Sequence, residues 1–224
     1  RRPPDHDSAR RAQQPRPDLP GGGGGGVMMP RAGWDRRRLR FFLQKQPSSE
    51  QCRALEAAET VSFLPMEAVS ETGIVDVSRE KAKEDVSTGY PQFFDGDVLV
   101  ARITPCFENG KGAIVNGMKN GIGYGSTEFH VLRPNSKLIA PFLYYITQSA
   151  DFRTSGEAAM TGAAGQKRVP DEFIQNYVVD IPSVESQKKI CDFLDKKLLA
   201  IDQLFEAKQN LLGTHSEKRR ALIT

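Results

Sequence analysis

The residues best equipped for chemistry lie between Asp95 and Arg168. Asp95 and Asp97 precede Glu108 and Lys111, loosely the carboxylates-then-lysine order with which a metal-dependent nuclease holds a cation at a phosphate. The run Asp95-Gly96-Asp97 is better explained as a tight turn, because Asp and Gly tolerate the backbone angles a turn needs. Gly121-Ile-Gly-Tyr-Gly-Ser-Thr127 resembles a phosphate-binding loop at first reading. Such a loop must run into a helix whose N-terminus holds the anion, whereas Glu128-Phe-His-Val-Leu132 alternates like a strand. Gly162-Ala-Ala-Gly-Gln-Lys167 departs from nucleotide-binding spacing. There is no Asn/Asp-Pro-Pro-aromatic tetrapeptide for amino-group methylation, and no Ser/His/Asp or Cys/His set converges. Cys52, Cys106 and Cys191, like His6, His130 and His215, are too scattered for zinc or a disulfide framework. No catalytic residue and no metal ligand is assigned.

A second group of side chains suits reading rather than reacting. Arg102 and Lys111 flank a hairpin, and Ser126 and Thr127 stand at a loop-to-strand junction. Arg153 precedes a Gly/Ala-rich stretch that closes on Gln166, Lys167 and Arg168. Arginine matches the guanine edge bidentately, Gln matches adenine, and Lys usually meets phosphate. These eight residues are the candidate DNA contacts.

Charge gives that reading no global support. Residues 1–40 hold ten Arg against four Asp, so the rest of the chain keeps 21 basic and 24 acidic residues out of the total of 31 and 28. A DNA contact must therefore come from local clusters on a balanced domain. Residues 1–32 are Arg/Pro-rich and carry six consecutive glycines, Gly21 to Gly26, and such a tract is expected to be a disordered extension. Met28 and Met29 stand where a later start would fall. No leader of the secretory type opens the chain and no apolar run is long enough for a membrane span, so a cytoplasmic location is expected.

The elements that must position these residues are expected at 33–182, a mixed α/β, β-rich domain. Residues 51–59 suit a short helix, and Val61–Met66 and Gly73–Val77 suit strands. Residues 79–86 suit a helical turn or solvated loop. Val98–Ile103 is a strong strand, and Asn109-Gly110 is a turn into its partner at Ala113–Val115. Gly121–Gly125 is expected to be a loop, and Glu128–Leu132 a strand. Pro141 opens a helix, residues 154–168 read as a loop, Pro170 starts a short helix or turn, and Tyr177–Ile181 is a last strand.

After Pro182 the pattern changes to a long coiled-coil-type helix over 183–224, with Ser183 or Ser186 as its cap. Ile190, Leu194, Lys197, Ile201, Leu204, Lys208 and Leu211 recur in alternating steps of four and three, the heptad rhythm of paired helices. Ile190, Leu194, Ile201, Leu204 and Leu211 are the expected pairing residues, broadened by Phe193, Leu198, Phe205 and Leu212. The alternative is a terminal helix packed on its own domain.

Seven runs in order resemble the DNA-binding domain of type I restriction-modification specificity subunits. They are Val61-Ser-Phe-Leu-Pro-Met-Glu-Ala-Val69, Phe94-Asp-Gly-Asp-Val-Leu-Val-Ala-Arg-Ile103, Gly110-Lys-Gly-Ala113 and Ser126-Thr-Glu-Phe-His-Val-Leu-Arg-Pro134. Pro141-Phe-Leu-Tyr-Tyr145, Gly165-Gln-Lys-Arg-Val-Pro170 and Ile181-Pro-Ser-Val-Glu-Ser-Gln187 complete them. Gly33-Trp34 with Arg38-Leu39 resembles the usual entry to the domain, and the likeness extends to about residue 212. The resemblance implies an α/β domain that presents loops to one half of a split double-stranded target. It implies a following helix that pairs with its equivalent and sets the distance between two such domains. It also implies a non-catalytic chain that binds no cofactor. S-adenosylmethionine would then serve a partner modification subunit, and ATP and Mg²⁺ a restriction subunit. Members of the family typically carry two recognition domains and two helices; one of each is present here, as in a fragment or in a half-subunit that forms a homodimer. A small metal-dependent nuclease, or a helix-mediated interaction module without DNA binding, are the competing expectations.

Overall fold

The computed structural model describes residues 33–44, 60–163 and 165–221. In chain order the strands and helices are β1 (Asp35–Arg38), β2 (Thr60–Leu64), β3 (Glu80–Ala82), α1 (Lys83–Val86), β4 (Gln92–Phe94), β5 (Val98–Ala101), β6 (Gly112–Ile114) and β7 (Ile122–Gly125). They continue with β8 (Phe129–Leu132), α2 (Ala140–Gln148), α3 (Ala150–Ala158), α4 (Asp171–Asn176), β9 (Val178–Ile181) and α5 (Val184–Ala221). The expected mixed α/β, β-rich architecture followed by a long helix is what forms. The expected extension at 1–32 and the expected helix at 51–59 lie outside the described residues.

Strand β5 explains most of the layering. Its four residues, Val-Leu-Val-Ala, are all buried, because the strand is covered on both faces. Val98 and Val100 face a core built with Phe142 and Leu143 of α2, Phe152 of α3, Ile174 of α4 and Cys191 of α5. Leu99 and Ala101 face a second core with Leu64, Phe93, Ala113, Val115 and Phe129. In the sheet direction β5 is central, with antiparallel neighbours β6 and β8. A second sheet has the order β3-β2-β7-β4, and β2 and β7 run parallel in it. A short ribbon pairs β1 with β9, Asp35 opposite Ile181, and so ties the entry of the domain to its exit.

Three expectations are corrected and one, the helical turn at 79–86, is met with a strand before it. Gly121–Gly125 is not a loop, since Ile122–Gly125 forms β7 between β2 and β4. Its glycines serve close packing: a Cβ on Gly123 would strike Phe93 and Met118, and one on Gly125 would strike the Leu64 carbonyl. The stretch 154–168 is a loop only in its second half. Ser149 caps α3 by accepting from the Phe152 amide at 3.3 Å, and Phe152 and Gly156, one turn apart, supply its buried face. Gly156 admits the Phe107 ring against the helix, so one aromatic and one glycine form a face that composition disguises. Residues 79–86 combine strand β3 with the single turn α1. Gly73–Val77 is not a strand; it makes one isolated bridge, Val69 to Val75.

The start of α5 follows the expected capping, as the Ser183 hydroxyl accepts from the Ser186 amide at 3.3 Å. No helix among the described residues is long and apolar enough to cross a membrane.

Candidate nucleic-acid interface

Three segments meet along one strip at Arg102. The Arg102 amide donates to the Glu128 carbonyl at 2.8 Å, and its own carbonyl accepts from the Val169 amide at 2.8 Å. The Thr104 amide donates to the Lys167 carbonyl at 3.0 Å. Arg168 bridges to both Ile103 and Thr161. Residues 159–163 and 165–169 therefore form the two arms of a small hairpin, stitched at its base to the end of β5 and the start of β8. The strip brings together Arg102, Ser126, Thr127, Gln166, Lys167 and Arg168, six of the eight residues expected to contact DNA.

Their freedom differs. Arg168 is spent on Glu128: its Nη2 donates to Oε1 at 2.7 Å and its Nε to Oε2 at 2.9 Å. This bidentate geometry raises the guanidinium's already high pKa and fixes the hairpin base. The Ser126 hydroxyl is also local, accepting from the Glu128 amide at 3.2 Å. Gln166, Lys167 and Thr127 point outward and are exposed. Lys111 and Arg153 stand apart from this strip, at the turn around Gly110. Lys111 Nζ donates to the Met66 carbonyl at 3.3 Å, and Arg153 lies against Gly110.

Beside the strip opens a cleft of about 740 Å³ lined by Arg40, Gln44, Arg102, Thr127, His130, Asp171 and Gln175 among others. Here the structure adds residues that the sequence reading passed over. Arg40 and Phe41 belong to the chain's entry, where an Arg-rich run and an aromatic pair were the available signal. Arg40 lies over the Phe41 ring at 5.1 Å. Both Arg38 and Arg40 donate to the Asn176 side-chain oxygen at 3.3 Å.

His130 is buried at the cleft's floor. Its Nδ1 is 2.8 Å from Asp171 Oδ1 and its Nε2 is 3.0 Å from the Val169 carbonyl. A neutral imidazole has one N–H and can donate to only one of these acceptors. Burial, and then the Arg102 guanidinium, hold its pKa below the ordinary value, while Asp171 and the Val169 carbonyl oppose them. His130 and Asp171 thus couple the hairpin base to the first turn of α4.

The carboxylates that suggested a nuclease are each engaged locally. Asp97 forms a buried ion pair with Arg133, at 2.6 and 2.7 Å. Asp95 accepts from the Met118 amide at 3.1 Å, and Glu108 from the Thr104 hydroxyl at 2.8 Å. Among the described residues no three His, Cys, Asp or Glu side chains gather as a metal site.

The helix-pairing residues divide into two groups. Ile190 packs against the domain's own core and Leu194 is half-buried. Ile201, Leu204 and Leu211 are exposed, with Phe205 and Leu212 beside them.

Residues 79–212 match the family model described as the type I restriction modification DNA specificity domain. The chain belongs to this family. It is 41% identical over 169 residues to the type I restriction enzyme EcoAI specificity subunit of Escherichia coli. It is 39% identical over 168 residues to the EcoEI specificity subunit of the same organism. Each match covers 74% of this chain, and the chain spans 28% of the length of these curated relatives. The fold resembles that of the HsdS subunit from Thermoanaerobacter tengcongensis, with a TM-score of 0.65 at 18% identity, over 80% of this chain and 45% of that one. The matched residues of this specificity domain include β5, β8, the hairpin base and the first exposed part of α5.

Proposed function

We propose that this specificity domain binds double-stranded DNA sequence-specifically and reads one half of a bipartite target. The observation that carries the reading is the strip at Arg102, where exposed Gln166, Lys167 and Thr127 sit on a hairpin base locked by Arg168 and Glu128. A rigid base with outward-facing Gln, Lys and Thr suits base-edge and phosphate contact. Arg102 and Arg40 in the adjoining cleft add positive charge, Ser126 belongs to the strip, and Lys111 and Arg153 would offer a second contact at the Gly110 turn.

In this reading the chain catalyses nothing and holds no cofactor. It directs a modification subunit, which uses S-adenosylmethionine, and a restriction subunit, which uses ATP and Mg²⁺, to the site, in the cytoplasm. The exposed stripe of α5 at Ile201, Leu204 and Leu211 pairs with an equivalent helix, from a second copy or from a second half-subunit. That pairing joins two recognition domains.

Selection from a pool of randomised duplexes tests the proposal. Enrichment of a defined short motif, lost when Gln166 and Lys167 are both changed to Ala, is the expected result. Recovery of duplexes with no shared motif would overturn it, and Mg²⁺-dependent nicking by the purified chain would favour a nuclease instead.

A further inference from the structure

Helix α5 has two mechanically different parts. Its first three turns are docked on the domain, and every described side chain from Lys196 to Leu212 is exposed. The docked part presents Gln187, Cys191 and Asp195, spaced four apart and therefore on one face.

Gln187 is fully buried and its amide is satisfied three times by backbone. Its Oε1 accepts from the Ile139 amide at 2.9 Å, and its Nε2 donates to the Lys137 carbonyl at 2.7 Å and the Pro182 carbonyl at 2.9 Å. This pins the helix to the segment that enters α2. Cys191, buried in the main core, and Ile190 packed beside it hold the middle of the docked face. Two turns beyond Gln187, the Tyr145 hydroxyl of α2 donates to Asp195. Packing around Ile190 and Cys191 favours a crossing angle, and two directional bonds at separate points along the helix narrow it.

We propose that Tyr145 and Asp195 are positioning residues: with Gln187 as pivot, their hydrogen bond sets the direction in which α5 leaves the domain and so sets the tolerated spacing between two half-sites. This rests on the bipartite-target reading above. Lever arithmetic supports it. At about 1.5 Å per residue, Asp195 lies roughly 12 Å from Gln187 and Leu211 roughly 36 Å from it. A shift of about 1 Å at Asp195 becomes about 3 Å at Leu211, comparable with the roughly 3.4 Å rise of one base pair.

Two readouts on the full chain test the proposal. In the first, nitroxides introduced at Glu157 and Lys208 through genetically encoded handles report the domain-to-helix distance by pulsed electron resonance. Wild type is expected to show one narrow distribution, and Tyr145→Phe and Asp195→Ala a distribution about twice as wide. Asp195→Asn keeps an acceptor oxygen and is expected to match wild type. Equal widths in wild type, Tyr145→Phe and Asp195→Ala overturn the clamp whatever the chain binds. In the second, the selected duplex is lengthened or shortened by one base pair between its halves. Wild type is expected to lose about tenfold in affinity, and Tyr145→Phe less than threefold, with equal affinity for an isolated half-site. Undiminished spacing discrimination in Tyr145→Phe overturns the link to spacing. Failure of wild type to select any bipartite duplex, with the distance distributions behaving as expected, defeats the DNA reading and leaves the clamp standing as a mechanical joint.

Discussion

Arg168 and Glu128 face each other in a bidentate ion pair, Nη2 to Oε1 at 2.7 Å and Nε to Oε2 at 2.9 Å. The pair closes the hairpin that carries Gln166 and Lys167, so under the proposed function Arg168 would act on DNA through the loop it holds. Glu128→Ala and Arg168→Ala should then weaken DNA binding by similar factors, and the double variant should be no worse than either. A double-mutant cycle on binding should return a coupling of about 1 kcal/mol or more. Arg168→Lys should not restore the loop, because an ammonium lacks the planar fork. An effect of Arg168→Ala far exceeding that of Glu128→Ala would instead make Arg168 a direct contact.

Asp97 is the most deeply buried carboxylate among the described residues. It takes two bonds from Arg133 and one from the Phe94 amide at 2.8 Å, and Arg133 stacks over the Phe94 ring at 4.4 Å. Asp97→Ala leaves a guanidinium with a side-chain exposure of only 13% and no counter-charge. Urea unfolding should show a loss of about 3–5 kcal/mol. A loss under about 1 kcal/mol would contradict the described packing.

The parallel pairing of β2 and β7 depends on absent side chains. Gly125→Ala drives a Cβ into the Leu64 carbonyl, which backbone can relieve only by moving the strand. The expected cost is about 1–3 kcal/mol, read as a lowered unfolding midpoint. A wild-type midpoint would mean that β7 does not approach β2 as described.

His130 predicts a pH dependence. Its folded pKa lies below the ordinary 6.5, so the unfolded chain binds more protons than the folded one below about neutral pH. Its contribution is fully present above pH 6.5, and is lost as the pH falls through that value toward the lowered folded pKa. Thermal melts from pH 7.5 down to 5 should show falling stability with a shallower slope in His130→Gln. Identical slopes would remove His130 as the cause.

Much of this fold was legible because burial and period coincide. The all-apolar β5, the Pro-led α2 and the Asn109-Gly110 turn announce themselves. Three features did not. The glycines of β7 read as loop because their role is to leave room for Phe93 and Leu64, which sequence does not display. Helix α3 hid because Phe152 is the sole bulky apolar residue on its buried face. The cleft residues Arg40, Gln44 and Gln175 are brought to Arg102 by the pairing of β1 with β9, by the bridge of Leu43 to Pro134 and by α4, over separations no local pattern encodes. Of the residues expected to contact DNA, six fall together at the hairpin strip, and Lys111 and Arg153 lie apart from it. The engagement of Arg168 with Glu128, and of Lys111 with the Met66 carbonyl, depends on contacts between distant segments.

The proposed function stands or falls on sequence-specific DNA binding through the hairpin strip. The most direct measurement is fluorescence anisotropy of the chain with the selected duplex and with a scrambled duplex of equal length, across a salt series. At least about a thousandfold preference for the selected duplex is expected. Lys167→Ala should reduce the salt slope by about one unit, with little change in the preference. Equal affinity for the two duplexes at every salt concentration would contradict it.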